Sequence, residues 1–194
     1  MKQYRMGTGI RTWKAGTART VSFVVTEDCS LRCKYCYMVH KNNKKRMSFE
    51  TAKTAVDFLF GYWPSADAII LEFIGGEPLL EIELIDKIVD YFVLQAYKLD
   101  HPWFTNYRIS MSTNGLLYSD EKVQRFIIKN AGKISIGITI DGTKEKHDMQ
   151  RMHADGSGSY DQVVKQIPLW QKQFPDATTK VTVGHEDLHL LADS

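Results

Sequence analysis

Cysteine is scarce in this 194-residue sequence, which has only three, all of them between positions 29 and 36. Three clustered thiols cannot form a disulfide framework. In a chain without a recognisable signal peptide they indicate metal binding in a reducing, cytoplasmic setting. An excess of one charge is also lacking, since 25 basic residues face 23 acidic ones, and we expect no nucleic-acid partner. No apolar run approaches the roughly 20 residues of a membrane span, so we expect no membrane partner.

Short apolar segments alternate with amphipathic helical segments along the chain. The five segments that we interpret as strands begin near residues 20, 68, 107, 133 and 179. Strands that alternate with helices form parallel sheets through right-handed crossovers, so the sequence predicts an α/β fold with about five βα units. We place an N-terminal arm at 1–19 and one core domain at 20–194. On this pattern alone, an open doubly wound sheet and a barrel-like sheet are both compatible.

Distinctive polar segments follow four successive predicted strands. The cysteine loop follows the first strand, Gly75–Pro78 the second, Thr113–Gly115 the third and Asp141–Gly142 the fourth. In a barrel, the loops at the carboxyl ends of the strands converge on one face, where binding sites are built. This placement favours the barrel and predicts that the four segments form one site.

The cysteine loop offers two metal chemistries. Cys29, Cys33 and Cys36 have the spacing Cys-x3-Cys-x2-Cys, and His40 follows three residues later. A structural zinc site needs four ligands, which these three thiols and the imidazole would supply. Three thiolates alone would instead leave one iron of a four-iron cluster open to a small molecule. The cationic side chains between the cysteines favour the thiolate form in either case.

The loop, with Tyr35 in the aromatic position before its last cysteine, resembles the signature of radical S-adenosylmethionine (SAM) enzymes. The resemblance continues downstream in the family's order. The matching segments are Gly75–Pro78 (GGEP), Ser112–Gly115 (STNG), Thr139–Gly142 (SLDG, with Thr139 in place of serine), His147–Arg151 (HDxxR) and Gly156–Tyr160 (GxGSY). The last two segments are similar to those of the peptide- and protein-modifying maturases, which include sulfatase maturases.

This resemblance implies a cofactor pair, a [4Fe-4S] cluster and SAM. In the family the open iron binds the amino and carboxylate groups of SAM, and reduction yields a 5′-deoxyadenosyl radical that abstracts hydrogen from the substrate. The implied metal ligands are Cys29, Cys33 and Cys36. The implied cofactor-binding residues are Tyr35, Gly75, Gly76, Glu77, Ser112, Asn114, Thr139, Asp141 and Arg151. The implied partners are a peptide or protein substrate and a reductant such as flavodoxin or ferredoxin.

Two of these residues have specific implied roles. Glu77 would offer a negative charge to the ammonium of SAM, and Arg151 would pair with the carboxylate of SAM. A surface salt bridge is an equally weighted alternative for Arg151. His185 and His189 have helical i, i+4 spacing but no third ligand nearby, and we expect them to be ordinary polar residues.

The resemblance also implies a fold, a partial (βα)6 TIM-like barrel with parallel strands. Five of six units are recognisable, and the cysteine-rich C-terminal region of such maturases (a SPASM or twitch domain) has no counterpart after Cys36. We therefore expect a truncated core domain without auxiliary clusters. Two alternatives to an active enzyme stay open, a catalytically incomplete domain that binds the cluster and SAM, and a Cys3His zinc module.

Overall fold

The computed structural model describes residues 17–39, 41, 45–63, 65–185 and 188–189. Its centre is a four-stranded parallel sheet in the order β1-β2-β3-β4. The strands are β1 (Ala18–Thr26), β2 (Ala68–Gly75), β3 (Tyr107–Thr113) and β4 (Ile134–Ile138). The predicted α/β class with parallel strands is confirmed. The first strand begins at Ala18, one residue before the predicted end of the arm, and residues 1–16 lie outside the described part.

Helices connect the strands and continue after β4. They are α1 (Phe49–Tyr62), α2 (Ile82–Lys98), α3 (Glu121–Lys129), α4 (Lys144–Gln150), α5 (Tyr160–Val164) and α6 (Ile167–Gln173), with 3₁₀ turns at Pro78–Glu81 and Pro102–Phe104. Ser48 caps α1 as its sequence predicts, because its hydroxyl accepts the N–H of Thr51. None of the helices in the described ranges is long and apolar enough to cross a bilayer.

From the sequence alone we expect Ser119 to cap the third helix, a long polar loop to run through 156–158, and one helix to begin near Ser159 and to bend or end at Pro168. The helix boundaries differ from this expectation in three places. Asp120, rather than Ser119, caps α3 with its carboxylate. The whole of α4 falls within a segment that its polar composition marks as a loop, and Thr143 caps it. The single helix expected from about residue 159 is divided into α5 and α6, and the break comes just before Pro168 rather than at it. Side-chain caps therefore set the starts of α3 and α4, which composition alone does not indicate.

The fifth predicted strand, 179–183, is reduced to one point of pairing. The N–H of Lys180 donates to the carbonyl of Ile138 at 3.0 Å, and the N–H of Ile140 donates to the carbonyl of Lys180 at 3.0 Å. This is an isolated parallel bridge to Thr139 rather than a ladder. Residues 180 and 181 are exposed, so this segment lacks the burial that stabilises the other strands. The expected last helix near Glu186 falls largely on residues outside the described part.

One face of the sheet is buried beneath the helices. The rings of Phe23 and Phe73, neighbours on β1 and β2, stack with centroids 5.4 Å apart. Beside them, Phe60, Phe92 and Trp103 form an aromatic cluster between α1, α2 and the second 3₁₀ turn. On the strands these side chains occupy alternate positions, and on each helix they lie along one stripe. This is the pattern that the sequence predicts.

The opposite face of the sheet is polar at its centre. Ser22, Glu72, Ser110 and Ser135 pair in register across the four strands. The hydroxyl of Ser22 donates to the carboxylate of Glu72. A TIM barrel usually fills its interior with branched apolar side chains. Here three small hydroxyls and one carboxylate leave a hydrogen-bonding surface on this face of the sheet.

Trp170 on α6 closes the core beneath β4, and its removal tests this packing. Its indole N–H donates to the carbonyl of Ile136 at 2.7 Å, and the side chain is buried. Trp170→Phe should lower the free energy of unfolding by about 1–3 kcal/mol because it leaves that carbonyl unpaired. Trp170→Ala should cost about 3–5 kcal/mol because it also leaves a cavity. Urea unfolding followed by circular dichroism measures both.

The exposed Lys172 on the same helix provides the control. Lys172→Ala should change the free energy of unfolding by no more than about 0.5 kcal/mol. A Trp170→Phe chain with an unchanged unfolding midpoint would show that the indole hydrogen bond contributes nothing.

Candidate functional site

The end of β2 packs directly against the start of the cysteine loop. A Cβ atom on Gly75 would lie 2.3 Å from the carbonyl oxygen of Thr26, and one on Gly76 would lie 2.1 Å from that of Asp28. The N–H of Gly76 donates to Thr26 at 2.9 Å, and the N–H of Glu77 donates to Asp28 at 2.8 Å. No side chain fits in either place, so the two glycines are what permit these backbone hydrogen bonds.

Glu77 joins the ends of β2 and β3 from a fully buried position. One carboxylate oxygen accepts the hydroxyl of Thr113 at 2.7 Å and the N–H of Leu79 at 3.0 Å, and the other accepts the N–H of Asn114 at 2.8 Å. Burial raises the pKa of this carboxyl, and the same hydrogen bonds oppose the rise. The carboxylate therefore serves the protein's own framework. Its place beside the ammonium of SAM stays a prediction.

Asn114 carries this framework into the cysteine loop. Its side-chain amide donates to the hydroxyl of Ser30 at 3.1 Å and approaches the sulfur of Cys29 at 3.9 Å. The N–H of Leu31 lies 3.4 Å from the same sulfur. The first cysteine of the loop is thus fixed by the residue that follows β3, as the convergence of strand ends predicts.

The segment after α4 holds the other side of the loop. The N–H of Arg32 donates to the carbonyl of Met152 at 2.7 Å, and that of Lys34 donates to Gln150 at 3.0 Å. These two bonds flank Arg151 on the chain. The HDxxR segment is therefore brought beside the cysteines by backbone pairing, which its sequence spacing does not reveal.

Arg151, Tyr35 and Asp141 form a hydrogen-bonded group beside the cysteine loop, in which the arginine and the aspartate are buried and the tyrosine is 40% exposed. Arg151 donates through Nη1 to the Tyr35 hydroxyl at 2.5 Å, and that hydroxyl donates to Oδ2 of Asp141 at 2.5 Å. The other oxygen of Asp141 accepts the N–H of Thr182 at 2.8 Å. Burial raises the pKa of Tyr35 to about 12, so the phenol stays protonated. Three predicted cofactor-binding residues thus share one hydrogen-bonded network.

The alternative that Arg151 forms a surface salt bridge is wrong. The residue is only 6% exposed, and its Nη1 lies 4.0 Å from the fully buried carboxylate of Asp141. Its Nε is buried and donates to no group in the described part of the chain. A guanidinium with a buried, unused donor beside a ligand loop is well suited to bind a carboxylate.

His147 and Ser159 hold the backbone around Arg151. The N–H of Asp141 donates to Nδ1 of His147 at 3.2 Å, and Nε2 of His147 lies 3.0 Å from the hydroxyl of Ser159. That hydroxyl donates to the carbonyl of Arg151 at 2.7 Å. The histidine of HDxxR and the serine of GxGSY are therefore supports for the arginine.

The aspartate and the second glycine of the same two segments are also in contact. Oδ1 of Asp148 accepts the N–H of Tyr160 at 2.8 Å. A Cβ atom on Gly158 would lie 2.2 Å from the Asp148 carboxyl carbon, so glycine is needed there for the approach.

The two innermost thiols are less acidic than their sequence neighbours suggest. Burial raises the pKa of Cys29 and Cys33, although Arg151 and Lys41 oppose the rise at Cys33. Nearby cations favour the thiolate at both groups, as expected, but desolvation outweighs them. The cations that act on Cys33, Arg151 and Lys41, lie outside the segment between the first and last cysteines.

Lys41 and Lys180 are residues that the sequence did not single out. The basic run 40–46 has the composition of a solvated loop, yet Lys41 is only 5% exposed. Lys180 donates to the hydroxyl of Ser112, and its backbone pairs beside Thr139. Ser112 and Thr139 are thus placed near each other as expected. The lysine between them follows from strand pairing, for which the local sequence has no signal.

The residues at the loop fit an iron–sulfur cluster by their chemistry. A cavity of about 260 Å³ opens beside the loop, lined by Cys33 and Cys36 together with Arg32, Lys34, Met38, Val39 and Lys41. Soft thiol donors and surrounding cations suit an anionic cluster. In the described ranges no three His, Cys, Asp or Glu side chains, the cysteines included, converge closely enough to hold a single metal ion.

The zinc alternative depends on His40, which lies outside the described residues. The pair His185 and His189 is exposed, and whether it binds a metal stays untested because residues 186 and 187 lie outside the described part.

Comparison with known proteins decides the family. The Radical SAM superfamily matches residues 23–189, which is most of the chain. The chain belongs to the radical SAM superfamily. Membership confirms the predicted cofactors, SAM and a [4Fe-4S] cluster, as those of this domain.

Curated relatives share less than half of their own length with this radical SAM chain. An uncharacterised protein of Methanocaldococcus jannaschii is 39% identical over 138 residues, which are 70% of this chain and 42% of the relative. The cysteine-type anaerobic sulfatase-maturating enzyme of Clostridium novyi is 28% identical, over 74% of this chain and 38% of the enzyme. The AdoMet-dependent heme synthase of Nitratidesulfovibrio vulgaris is 28% identical, over 95% and 46%.

Solved structures agree with the fold. Native anSMEcpe with bound AdoMet and Cp18Cys peptide matches with a TM-score of 0.71 at 22% identity, over 91% of this chain and 45% of that chain. The histidine-tagged form of anSMEcpe with bound AdoMet gives the same TM-score of 0.71 at 23% identity, over 90% and 47%. This likeness confirms the predicted partial TIM-like barrel.

The buried imidazole of His147 should make stability depend on pH. Burial lowers its pKa from 6.5 to about 4. The unfolded chain therefore takes up a proton first as the pH falls. The contribution of this group is complete above about pH 6.5 and is lost between pH 6.5 and pH 4. His147→Gln should reduce the loss of unfolding free energy between pH 7 and pH 4.5 by about 2 kcal/mol.

Chemical unfolding at a series of pH values measures this slope, which is separate from any uniform destabilisation. Replacing the exposed His185 by Gln is the matched control and should leave the wild-type slope. Equal slopes in the wild-type and His147→Gln chains would contradict the assignment.

Proposed function

We propose that this chain is the core of a radical SAM enzyme that modifies a side chain of a ribosomal peptide or of a protein. The observation that carries the proposal is the buried Arg151, whose Nε has no partner in the described part of the chain and whose neighbours are the predicted ligand loop and Tyr35. When bound, the cluster and SAM supply reductive cleavage of the sulfonium and a 5′-deoxyadenosyl radical for hydrogen abstraction.

The residues of the chain would bind and orient that cofactor. Cys29, Cys33 and Cys36 would hold the cluster, and Arg151 would receive the carboxylate of SAM through its unused donor. Tyr35 would fix the orientation of the guanidinium, because its hydroxyl accepts from Arg151 and donates to the carboxylate of Asp141. The strand-end residues would line the rest of the cofactor, and the closely packed glycines would keep water from the loop.

The polar face of the sheet supports a peptide as the substrate class. Glu72 and the serine hydroxyls in register with it can pair with the N–H and C=O groups of a peptide. The sulfatase-maturating relatives and the peptide-bound solved structure point to the same class. A reductant such as flavodoxin or ferredoxin would supply the electron.

Cysteine replacement tests the cluster site. The reconstituted wild-type chain should hold iron and sulfide, and its electron paramagnetic resonance signal should change when SAM is added. Cys33→Ala should lose the signal and the production of 5′-deoxyadenosine under reduction, because a three-thiolate site does not survive the loss of one ligand. Lys172→Ala, at an exposed position on α6, should retain both.

The outcomes separate the remaining alternatives. Zinc without iron in the wild-type chain would favour the zinc module. A cluster and a SAM response without 5′-deoxyadenosine would favour the catalytically incomplete domain.

Arginine replacement tests the SAM site. Arg151→Gln should bind SAM about 10- to 100-fold more weakly, since a charged hydrogen bond contributes roughly 1.5–3 kcal/mol. The affinity of Arg151→Lys for SAM should lie between those of the wild-type and Arg151→Gln chains, because lysine keeps the charge but not the planar guanidinium. Calorimetric titration of the reconstituted chains with SAM measures the affinity, and iron analysis checks that the cluster is retained. Wild-type affinity in Arg151→Gln would exclude this role.

A further inference from the structure

Lys41 brings a positive charge next to the cysteine loop. It belongs to the basic run 40–46, whose composition is typical of a solvated loop. Its ammonium donates to the carbonyl of Leu31 at 3.3 Å, and the residue is 5% exposed. Leu31 lies between the first two cysteines. The side chain also lines the cavity that opens beside Cys33 and Cys36.

Among the described residues, this ammonium has few partners for a buried charge. It has three donors, and the carbonyl of Leu31 is its one hydrogen-bond acceptor within the described part of the chain, where no carboxylate pairs with it. A buried ammonium is costly unless an opposite charge compensates it.

We propose that Lys41 is the counter-cation of the iron–sulfur cluster and raises its reduction potential. This inference rests on the proposed function, because it requires the cluster at the three cysteines. A cluster held by thiolates is anionic and becomes more so on reduction. A fixed cation beside it therefore stabilises the reduced form more than the oxidised form. Low exposure strengthens the effect, because water screens the charge less in the cavity than at the surface.

Lys45 provides a matched control from the same basic run. Its side chain is 70% exposed, and it faces Glu27 at 4.0 Å rather than the cysteines. Its charge should be screened by solvent and should have little effect on the cluster.

The midpoint potential of the reconstituted cluster, measured by redox titration with electron paramagnetic resonance and without SAM, tests the proposal. Lys41→Met should shift the potential to a more negative value, and Lys41→Gln should shift it in the same direction. Lys41→Arg should stay close to wild type because the charge is kept, and Lys45→Met should not shift. Unchanged potentials in both neutral variants, or a shift to more positive values, would overturn the proposal.

Cluster content gives a second readout. If the neutral variants fail to hold the cluster while Lys41→Arg retains it, the charge itself is required and the proposal stands. Loss of the cluster in all three variants would show a packing role and would overturn it. A wild-type chain that forms no cluster would defeat the proposed function. A wild-type cluster with unshifted Lys41 variants would defeat only this inference.

Discussion

The site depends on one buried carboxylate, that of Glu77. Its three hydrogen bonds tie the turn after β2 to the residues that end β3. Asn114, held by this carboxylate, then reaches the first cysteine. A buried carboxylate destabilises the fold unless its oxygens accept hydrogen bonds, and the buried N–H and O–H donors around it likewise need an acceptor. The carboxylate and its donors therefore stabilise each other. The two strand ends and the loop therefore adopt one arrangement together.

A second set of bonds holds the loop from the opposite side. The backbone beside Arg151 pairs with the middle of the cysteine loop, and Asp141 bonds the tyrosine that stands between the second and third cysteines. Segments from distant parts of the chain thus fix one short loop. Such fixation reduces the ordering that ligand binding must otherwise impose. The sequence segments shared with the family therefore hold the cysteine loop in place, in addition to any role in binding the cofactor.

Local signals in the sequence predict the strands and the single edge at which their polar ends meet, and Ser48 marks the start of α1. The fifth strand is overestimated because an apolar segment forms a ladder only where a partner and burial are both available, and at Lys180 the described chain provides one bridge. The rest depends on which distant groups share a buried space. Lys41 looks solvated in sequence and is enclosed in the fold, and Arg151 reaches the cysteines through backbone pairing that no spacing encodes. Composition describes the average environment of a residue type, whereas tertiary contacts set the environments of these two.

The balance of forces on the cysteines explains why cations surround them. Burial raises the pKa of Cys29 and Cys33 despite the nearby positive charges, so the thiols hold their protons at neutral pH. Binding of a cluster must therefore release those protons, and the anionic product must be stabilised within a cavity that water screens poorly. Arg151 and Lys41 cannot overcome desolvation for a thiol alone. Desolvation therefore keeps the free thiols protonated, and the same cations would stabilise the anionic cluster that we propose.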